Sequence, residues 1–156
     1  MAIQIKIREL IESDFGDLLA LAEEVYLENP MATLFYEKPS RNMFMAIFKE
    51  KIACVMEGRA VDIVAVCPRV IGECEIARKD GTTGILGIII SKDFRRKRIG
   101  SMLLGTASEK ARGMGIEILE AMIAKENAGA IRFFSQCGFK RSSEKEGILT
   151  FRKSLH

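Results

Sequence analysis

The sequence predicts a single α/β domain spanning residues 1–156, and three observations support this fold class. Segments with the alternation or apolar character of β-strands follow one another through the middle of the chain. Amphipathic helical patterns precede and follow these segments. The chain shows no repeats, low-complexity stretches or linkers, so all of these elements are expected to share one core.

The first third of the chain predicts one strand and two helices. Apolar and polar residues alternate over residues 3–7, as in a half-buried strand. Ser13 is expected to cap a helix that ends at Asn29-Pro30. Its apolar stripe consists of Phe15, Leu18, Leu19, Ala22 and Val25. A second helix is expected over residues 40–57, ending near Gly58.

Five further strands and two further helices are predicted after this point. The strands are residues 61–67, 70–77, 85–90, 116–123 and 148–152. The nearly unbroken apolar character of residues 85–90 is typical of a central strand covered on both faces. One helix follows the basic stretch after Ile90 and ends at Gly113 to Gly115. Asn127 is expected to open the other helix, and Gly138 to close it.

The composition is that of a globular protein and indicates neither a membrane span nor a general nucleic-acid binder. Hydrophobic residues make up 48% and charged residues 29% of the chain, and the net charge of +3 is mild. The longest apolar run, residues 85–90, is interrupted by Gly87 and is too short to cross a bilayer. The N-terminus lacks the continuous apolar core of a signal peptide. A cytoplasmic location is therefore expected.

The cysteines and the single histidine argue against a metal site. No two of the four cysteines have CxxC spacing, so reduced and mostly buried thiols are expected. Cys137 is expected to serve core packing. The only histidine, His156, is the last residue, which excludes a catalytic dyad built on histidine. We therefore expect no metal.

Four cations, Arg95, Arg96, Lys97 and Arg98, stand directly ahead of Gly100 and a predicted helix; we call these four residues the basic turn. Free N–H groups and the positive end of the helix dipole make such a helix start an anion site. The Ser101 hydroxyl can contribute a further hydrogen bond. Two alternatives are a solvated surface turn and an RNA-binding or targeting segment. The second lacks the interleaved aromatic residues that base stacking prefers.

Two stretches resemble motifs of the GNAT superfamily of N-acetyltransferases. The segment IIISKDFRRKRIGSMLL, residues 88–104, resembles the acyl-CoA-binding signature Arg/Gln-x-x-Gly-x-Gly/Ala, with matches at Arg95 and Gly100. The segment NAGAIRFFSQCGF, residues 127–139, resembles a second family motif, Asn-x-x-Ala-x-x-Phe-Tyr-x-x-x-Gly-Phe. It matches at Asn127, Ala130, Phe133, Gly138 and Phe139. The order of elements also resembles the family over nearly the whole chain.

The resemblance implies a mixed, mostly antiparallel central sheet with flanking helices, and acetyl-CoA as the co-substrate. In such proteins the loop that corresponds to the basic turn holds the coenzyme diphosphate through backbone amides. Two central strands splay apart to admit the pantetheine arm. Carried over to this chain, the coenzyme-binding residues fall in four places: the basic turn, the helix start after it, the strand before it, and the start of the last helix. They are Arg95, Arg96, Lys97, Arg98, Ile99, Gly100, Ser101, Ile88, Ile90 and Asn127. Asn127 is expected both to cap its helix and to contact the pantetheine arm.

The chain departs from the family pattern at three places. Arg98 replaces the first glycine of the signature; it either weakens coenzyme binding or is tolerated at a negative φ, with its guanidinium reaching toward the nucleotide. Phe134 replaces the usual tyrosine, the family's proposed acid for the thiolate leaving group. No acidic residue lies on the strand at residues 84–90, where many members carry one. Glu73 and Glu75, which share a face of the neighbouring strand, are the nearest candidates for a general base; the alternative is that this face meets solvent.

The sequence thus predicts an acetyl-CoA-dependent N-acetyltransferase acting on a primary amine of a small molecule or of a protein N-terminus. The alternative is a non-catalytic acyl-CoA-binding module, either a sensor or a partner subunit. Residues 30–36 give only a weak indication of a partly apolar lip at the acceptor site. We expect neither a nucleic acid nor a membrane as a partner, and the sequence leaves open whether the protein forms a homodimer.

Overall fold

The structure, a computed structural model, describes residues 4–30 and 38–156. These residues form seven strands and four α-helices. The strands are β1 (Lys6–Glu9), β2 (Ala60–Val66), β3 (Val70–Asp80), β4 (Thr83–Ile90), β5 (Ile118–Ala124), β6 (Lys140–Lys145) and β7 (Ile148–Ser154). The helices are α1 (Phe15–Glu28), α2 (Arg41–Met56), α3 (Ile99–Gly113) and α4 (Ala128–Gln136). Short 3₁₀ turns at Glu12–Asp14 and Lys92–Phe94 precede α1 and the basic turn.

All seven strands belong to one sheet with the order β1-β2-β3-β4-β5-β7-β6. Neighbouring strands are antiparallel except β4 and β5, which are parallel. A parallel pair needs a long crossover connection, and α3 supplies it here. The expected mixed, mostly antiparallel sheet with flanking helices is therefore confirmed.

The two faces of the sheet bury separate hydrophobic clusters. Helices α1 and α2 cover one face, where Leu18, Phe44 and Val64 are almost completely buried. Helix α3 covers the other face, where Leu103 and Ala107 are fully buried against β2 and β3. β4 contributes to both clusters, as expected of a central apolar strand: Leu86 is buried in the cluster under α3, and the half-buried Ile89 packs against the cluster under α1 and α2.

Two details of the predicted elements are wrong. Ser13 does not cap α1, because a 3₁₀ turn precedes this helix and Asp14 occupies the N-cap position. The Asp14 carboxylate accepts two hydrogen bonds from Arg8 at 2.8 Å and one from the Ile11 N–H at 2.9 Å. Strand β6, with the sequence KRSSEK, was not predicted. All six of its residues are exposed at the sheet edge, so no apolar periodicity marks it.

The sheet opens at its centre, between the parallel strands β4 and β5. They pair only from residues 83–86 to residues 118–121. Beyond this point β4 continues to Ile90 while β5 continues to Ala124, and no further pairs join them. The splay that the resemblance implied is therefore present.

The backbone of the second half of β4 points into this gap at alternate residues. The Ser91 N–H donates to the Ile71 carbonyl of β3, at 2.8 Å, whereas the Thr82 carbonyl accepts from the β5 side, at 3.1 Å. Because successive residues of a strand direct their backbone groups to opposite sides, the N–H and C=O groups of Ile88 and Ile90 face away from β3. They face the gap, where β5 no longer pairs with them.

Candidate active site

A cavity of about 1060 Å³ runs through the gap between β4 and β5; we call it the central cavity. Side chains from both faces of the sheet line it. On one face these include Phe44 and Ile47 of α2 and Glu75 of β3, and on the other they include Phe133 and Phe134 of α4. The sheet gap therefore connects the two faces of the molecule.

The basic turn adopts an unusual backbone at one end of this cavity. Arg96 has φ of 60° and Arg98 has φ of 64°, and Arg98 is the N-cap of α3. Lys97, between them, is not among the residues with positive φ. Alternation of left- and right-handed residues turns successive N–H groups toward a common centre, which makes an anion-binding concavity. The concavity continues into the free N–H groups at the start of α3.

The expectation that Arg98 is tolerated through a negative φ is wrong. A residue with a Cβ in the left-handed region is strained by about 1–2 kcal/mol, and glycine, the residue of the family signature, would not be. The chain therefore holds an arginine in a backbone conformation that favours glycine, at the position where the family signature has a glycine.

The arginine side chains of the basic turn differ in their surroundings. Arg95 forms a bidentate ion pair with Glu28 of α1, at 2.5 Å, and its guanidinium also donates to the Ile90 carbonyl at 3.0 Å. Arg96 and Arg98 line the central cavity, whereas the Lys97 ammonium lies 5.4 Å from the centre of the Phe94 ring. The Ile90 carbonyl is therefore already occupied, whereas its N–H group faces the gap.

A second glutamate of α1 also holds the segment that leads into the basic turn. Glu24 accepts hydrogen bonds from the Ser91 hydroxyl at 2.7 Å and from the Lys92 N–H at 3.0 Å. Glu24 and Glu28 lie four residues apart and therefore on one side of α1. The α1 helix thus fixes the approach of the chain to the anion site.

The three residues that follow the basic turn serve both packing and the cavity. Ile99 is buried in the core. A Cβ built on Gly100 would stand 2.9 Å from a ring carbon of Phe133, so the absence of a side chain lets α3 and α4 approach closely. Ser101 lies near Cys137, whose thiol pKa is raised mainly by burial. All three residues line the central cavity.

Asn127 and Phe134 lie where α4 borders the cavity. The Asn127 side-chain oxygen accepts a hydrogen bond from the Ala130 N–H at 3.2 Å, which confirms the predicted cap. Phe134 is buried and packs edge-on against Phe133 and Phe139, with ring centres 5.2 and 5.1 Å apart. Phe134 therefore puts a phenyl ring, which carries no hydroxyl group, at the position where the family motif has a tyrosine.

On the side of the cavity that carries α2, Lys51 of this helix lies among three carboxyl groups; we call these four residues the carboxyl cluster. The Lys51 ammonium lies 3.1 Å from Glu73, 3.3 Å from Glu75 and 3.6 Å from Asp62. The side chains of Glu73 and Glu75 are 8% and 27% exposed, and that of Asp62 is fully buried. The alternative that Glu73 and Glu75 face open solvent is therefore wrong, since helix α2 covers this face of β3.

Burial and neighbouring charges shift the pKa values of Asp62 and Lys51 in the carboxyl cluster. Burial raises the pKa of Asp62 well above its ordinary value, and the neighbouring charge of Glu73 raises it further. Burial alone would lower the pKa of Lys51, but the carboxylates around it outweigh burial and raise the pKa. Lys51 therefore stays charged, whereas Asp62 favours its neutral form.

Sequence reasoning missed Lys51 and Asp62. Asp62 lies at alternate positions with Ala60 and Val64, on one buried face of β2. This pattern was the available signal for a buried ion pair, because a carboxyl group at a buried strand position needs a partner. Lys51 gave no signal, because it directly follows two other charged residues of α2, Lys49 and Glu50. Within residues 4–30 and 38–156, no group of three or more His, Cys, Asp or Glu side chains is arranged to hold a metal ion. No helix among the described residues is both long and apolar enough to span a membrane.

Comparison with known proteins identifies the family. The sequence model of the Acetyltransferase (GNAT) family matches residues 7–139. The chain belongs to this family. It is 29% identical over 155 residues to an uncharacterized N-acetyltransferase of Methanocaldococcus jannaschii; the match covers 96% of this chain but 66% of the archaeal protein, so this chain spans just under two thirds of that relative.

Solved structures share the fold of this GNAT protein. An N-acetyltransferase from Staphylococcus aureus superimposes with a TM-score of 0.82 at 20% identity, over 98% of this chain and 99% of the other. The PaiA N-acetyltransferase from Thermoplasma acidophilum, solved in complex with coenzyme A, superimposes with a TM-score of 0.79 at 20% identity. That match covers 97% of this chain and 99% of the other. At this level of identity the similarity concerns the fold.

Proposed function

We propose that this GNAT protein is an N-acetyltransferase that transfers the acetyl group of acetyl-CoA to a primary amine. The observation that carries the proposal is the central cavity, which joins an anion-binding backbone turn to a group of carboxylates through the gap in the sheet. A thioester with a phosphorylated tail fits one end, and an amine that must lose a proton fits the other. Membership of the GNAT family supports this assignment.

The coenzyme is proposed to enter from the face of the sheet covered by α3 and α4. Its diphosphate would bind the N–H groups of the basic turn and of the first turn of α3. The pantetheine arm would lie in the gap, where the backbone groups of Ile88 and the N–H of Ile90 are available to its amides. Asn127 lines the same space. An N–H group in the gap would also polarise the thioester carbonyl.

The acceptor is proposed to enter from the face covered by α1 and α2. Val25, Phe44 and Ile47 provide apolar walls there, and Glu73 and Glu75 provide negative charge. This combination favours a primary amine carried on an apolar segment, either in a small molecule or at a peptide N-terminus. The lip residues 31–36 of the sequence analysis lie outside the described residues.

Glu75 is the proposed general base. It lies directly across the β3–β4 pair from Gly87, and a Cβ built on this glycine would meet no atom within 4 Å. The floor of the cavity is therefore open beside the Glu75 carboxylate, one strand away from where many family members carry an acidic residue. Its side chain is 27% exposed, so a proton received there can pass on to water.

The reaction then follows with balanced atoms and charges. The acceptor ammonium gives one proton to the Glu75 carboxylate, and the neutral nitrogen attacks the thioester carbonyl carbon. A C–N bond forms, the C–S bond breaks, the nitrogen passes its second surplus proton to water, and the coenzyme leaves as a thiolate. Phe134 cannot donate a proton to this thiolate. A thiol has a pKa of about 8.5, so the thiolate is a tolerable leaving group that water can protonate.

Release of free thiol from acetyl-CoA, measured with a panel of amines and peptides, tests the proposal. We expect turnover with at least one acceptor and a loss of about 100-fold or more in kcat/KM for Glu75→Gln. Glu109→Gln, at an exposed position on α3, is the matched control and should behave as wild type. Coenzyme binding without turnover on any amine would favour the non-catalytic acyl-CoA-binding module instead.

A further inference from the structure

The carboxyl cluster holds more acidic groups than a general base requires. Three carboxyl groups surround a single ammonium, and with all of them ionised the cluster would carry two uncompensated negative charges. Asp62, Glu73 and Lys51 are all largely withdrawn from water. A buried site of this kind lowers its free energy by keeping a proton on one carboxyl group.

Geometry identifies Asp62 as the group that keeps the proton. Its side chain is fully buried, and it lies farther from the Lys51 ammonium than either glutamate does. Both of its carboxyl oxygens are buried and accept no hydrogen bond from the described residues, whereas the Oε2 atom of Glu73 lies 3.1 Å from the Lys51 ammonium. A proton kept on Asp62 therefore removes the charge of the carboxyl group that makes the longest ion pair with Lys51.

Other described residues close to the carboxyl cluster come from α2, β3 and β4, and we consider whether any of them carries a charge. Among the described residues, the thiols of Cys54 on α2 and Cys74 on β3 also sense its charges, and the pKa of each thiol is raised, mainly by burial. β4 contributes the uncharged residues Gly87 and Ile89 at the register positions opposite Glu75 and Glu73. Among the described residues that line this end of the cavity, Lys51 therefore supplies the positive charge.

We propose that Lys51 is a positioning residue whose ammonium holds the Glu73 and Glu75 carboxylates toward the acceptor amine, beside the buried Asp62 carboxyl group. This inference rests on the proposed acetyl transfer for its catalytic consequence, although the charge arrangement is testable without turnover. Lys51 makes no contact with the reacting atoms in this scheme. It acts through the carboxylates, while the proton that the amine loses goes to Glu75 and then to water.

The pH profile of kcat/KM in Lys51 variants tests this role, because replacing a residue with a purely structural role would not shift that profile. The base must be ionised to act, so kcat/KM falls on the acid side of its pH profile. An opposite charge within 4–6 Å lowers a carboxyl pKa by about 1–3 units. Lys51→Met should therefore move the acid limb upward by about one unit or more. Lys51→Arg should keep the limb near its wild-type position, and Lys49→Met, at an exposed position on the same helix, should leave it unchanged.

Carboxyl titration by carbon-detected NMR tests the same arrangement when no acceptor is turned over. In wild type, Asp62 should remain protonated at pH 7. In Lys51→Met the Glu75 titration should move upward, and in Lys51→Arg it should not. Asp62→Asn, a neutral replacement, should preserve the Glu75 titration and the folded state.

The outcomes separate the two proposals. An ionised Asp62 at pH 7, or a Glu75 titration that is the same in wild type and Lys51→Met, overturns the inference about Lys51 whether or not the enzyme is active. An acid limb that does not move in an active Lys51→Met enzyme also overturns it. A wild-type protein that shows the expected titrations but transfers no acetyl group contradicts the proposed function and leaves the charge arrangement supported.

Discussion

Replacing Arg98 with glycine should stabilise the protein, although the substitution removes a side chain. Arg98 has φ of 64°, where a residue with a Cβ is strained by about 1–2 kcal/mol. Glycine removes this strain but costs about 0.5–1 kcal/mol through the greater freedom of the unfolded chain. The difference predicts a net stabilisation of about 0.5–1 kcal/mol. For a chain of this size that corresponds to a rise in Tm of about 1–4 °C.

Thermal and urea unfolding without coenzyme provide the measurement, and the neighbouring residues provide the controls. Arg96 has φ of 60°, so Arg96→Gly should be stabilising by a similar amount. Lys97 lacks a positive φ, so Lys97→Gly relieves no strain and should lose about 0.5–1 kcal/mol. All three variants remove one positive charge from the same turn, so the loss of charge cannot explain a difference between them.

Equal losses of unfolding free energy in all three glycine variants would contradict the predicted strain at Arg96 and Arg98. The left-handed conformation would then be no strain on the folded protein. Coenzyme titration of the same variants separates strain from binding, because relief of strain without loss of affinity shows that the backbone rather than the Arg98 guanidinium holds the diphosphate.

Three further predictions concern the borders of the central cavity. Gly100→Ala should lose about 1–3 kcal/mol of unfolding free energy even without coenzyme, because its Cβ would crowd the Phe133 ring at 2.9 Å; unchanged urea midpoints would contradict this packing role. Asn127→Ala should lose about 1 kcal/mol in the same assay, whereas Asn127→Asp should keep the cap, and equal losses would exclude capping as the cause. Phe134→Tyr should raise kcat, by up to about 100-fold if protonation of the thiolate limits turnover, with little effect on coenzyme affinity. Equal steady-state rates for both proteins would remove the support for placing Phe134 beside the sulfur.

Local sequence patterns predicted most of the fold because the elements concerned bury one apolar face. The interior strands and the four helices show such faces. β6 does not, because it joins the sheet at an edge with every residue exposed, so only its pairing with β7 defines it as a strand. The start of α1 was predicted at Ser13 instead of Asp14 for a related reason. The Asp14 carboxylate is held by Arg8, which belongs to β1, and the local sequence does not show this contact.

The two ends of the candidate site differed in how much the sequence could predict. The basic turn and Asn127 belong to contiguous motifs, and the structure places both at the central cavity. The carboxyl cluster depends on the register of β2 against β3, which brings Asp62 opposite Glu75, and on the packing of α2 across both strands. No local pattern contains that information, so Lys51 and Asp62 became visible only in three dimensions.

The gap between β4 and β5 has a consequence for how the sheet exchanges its amide hydrogens. Interior strands normally exchange slowest, because exchange requires sub-global opening of hydrogen-bonded structure. Here the amides of Ile88 and Ile90 lie on the middle strand of seven and yet face a cavity rather than a paired strand. They should exchange far faster than that of Ile89, whose register partner is Glu73 on the fully paired side. Isotope exchange would therefore show alternate fast and slow sites along one strand, and occupancy of the gap by a ligand that bonds to these amides would erase the alternation.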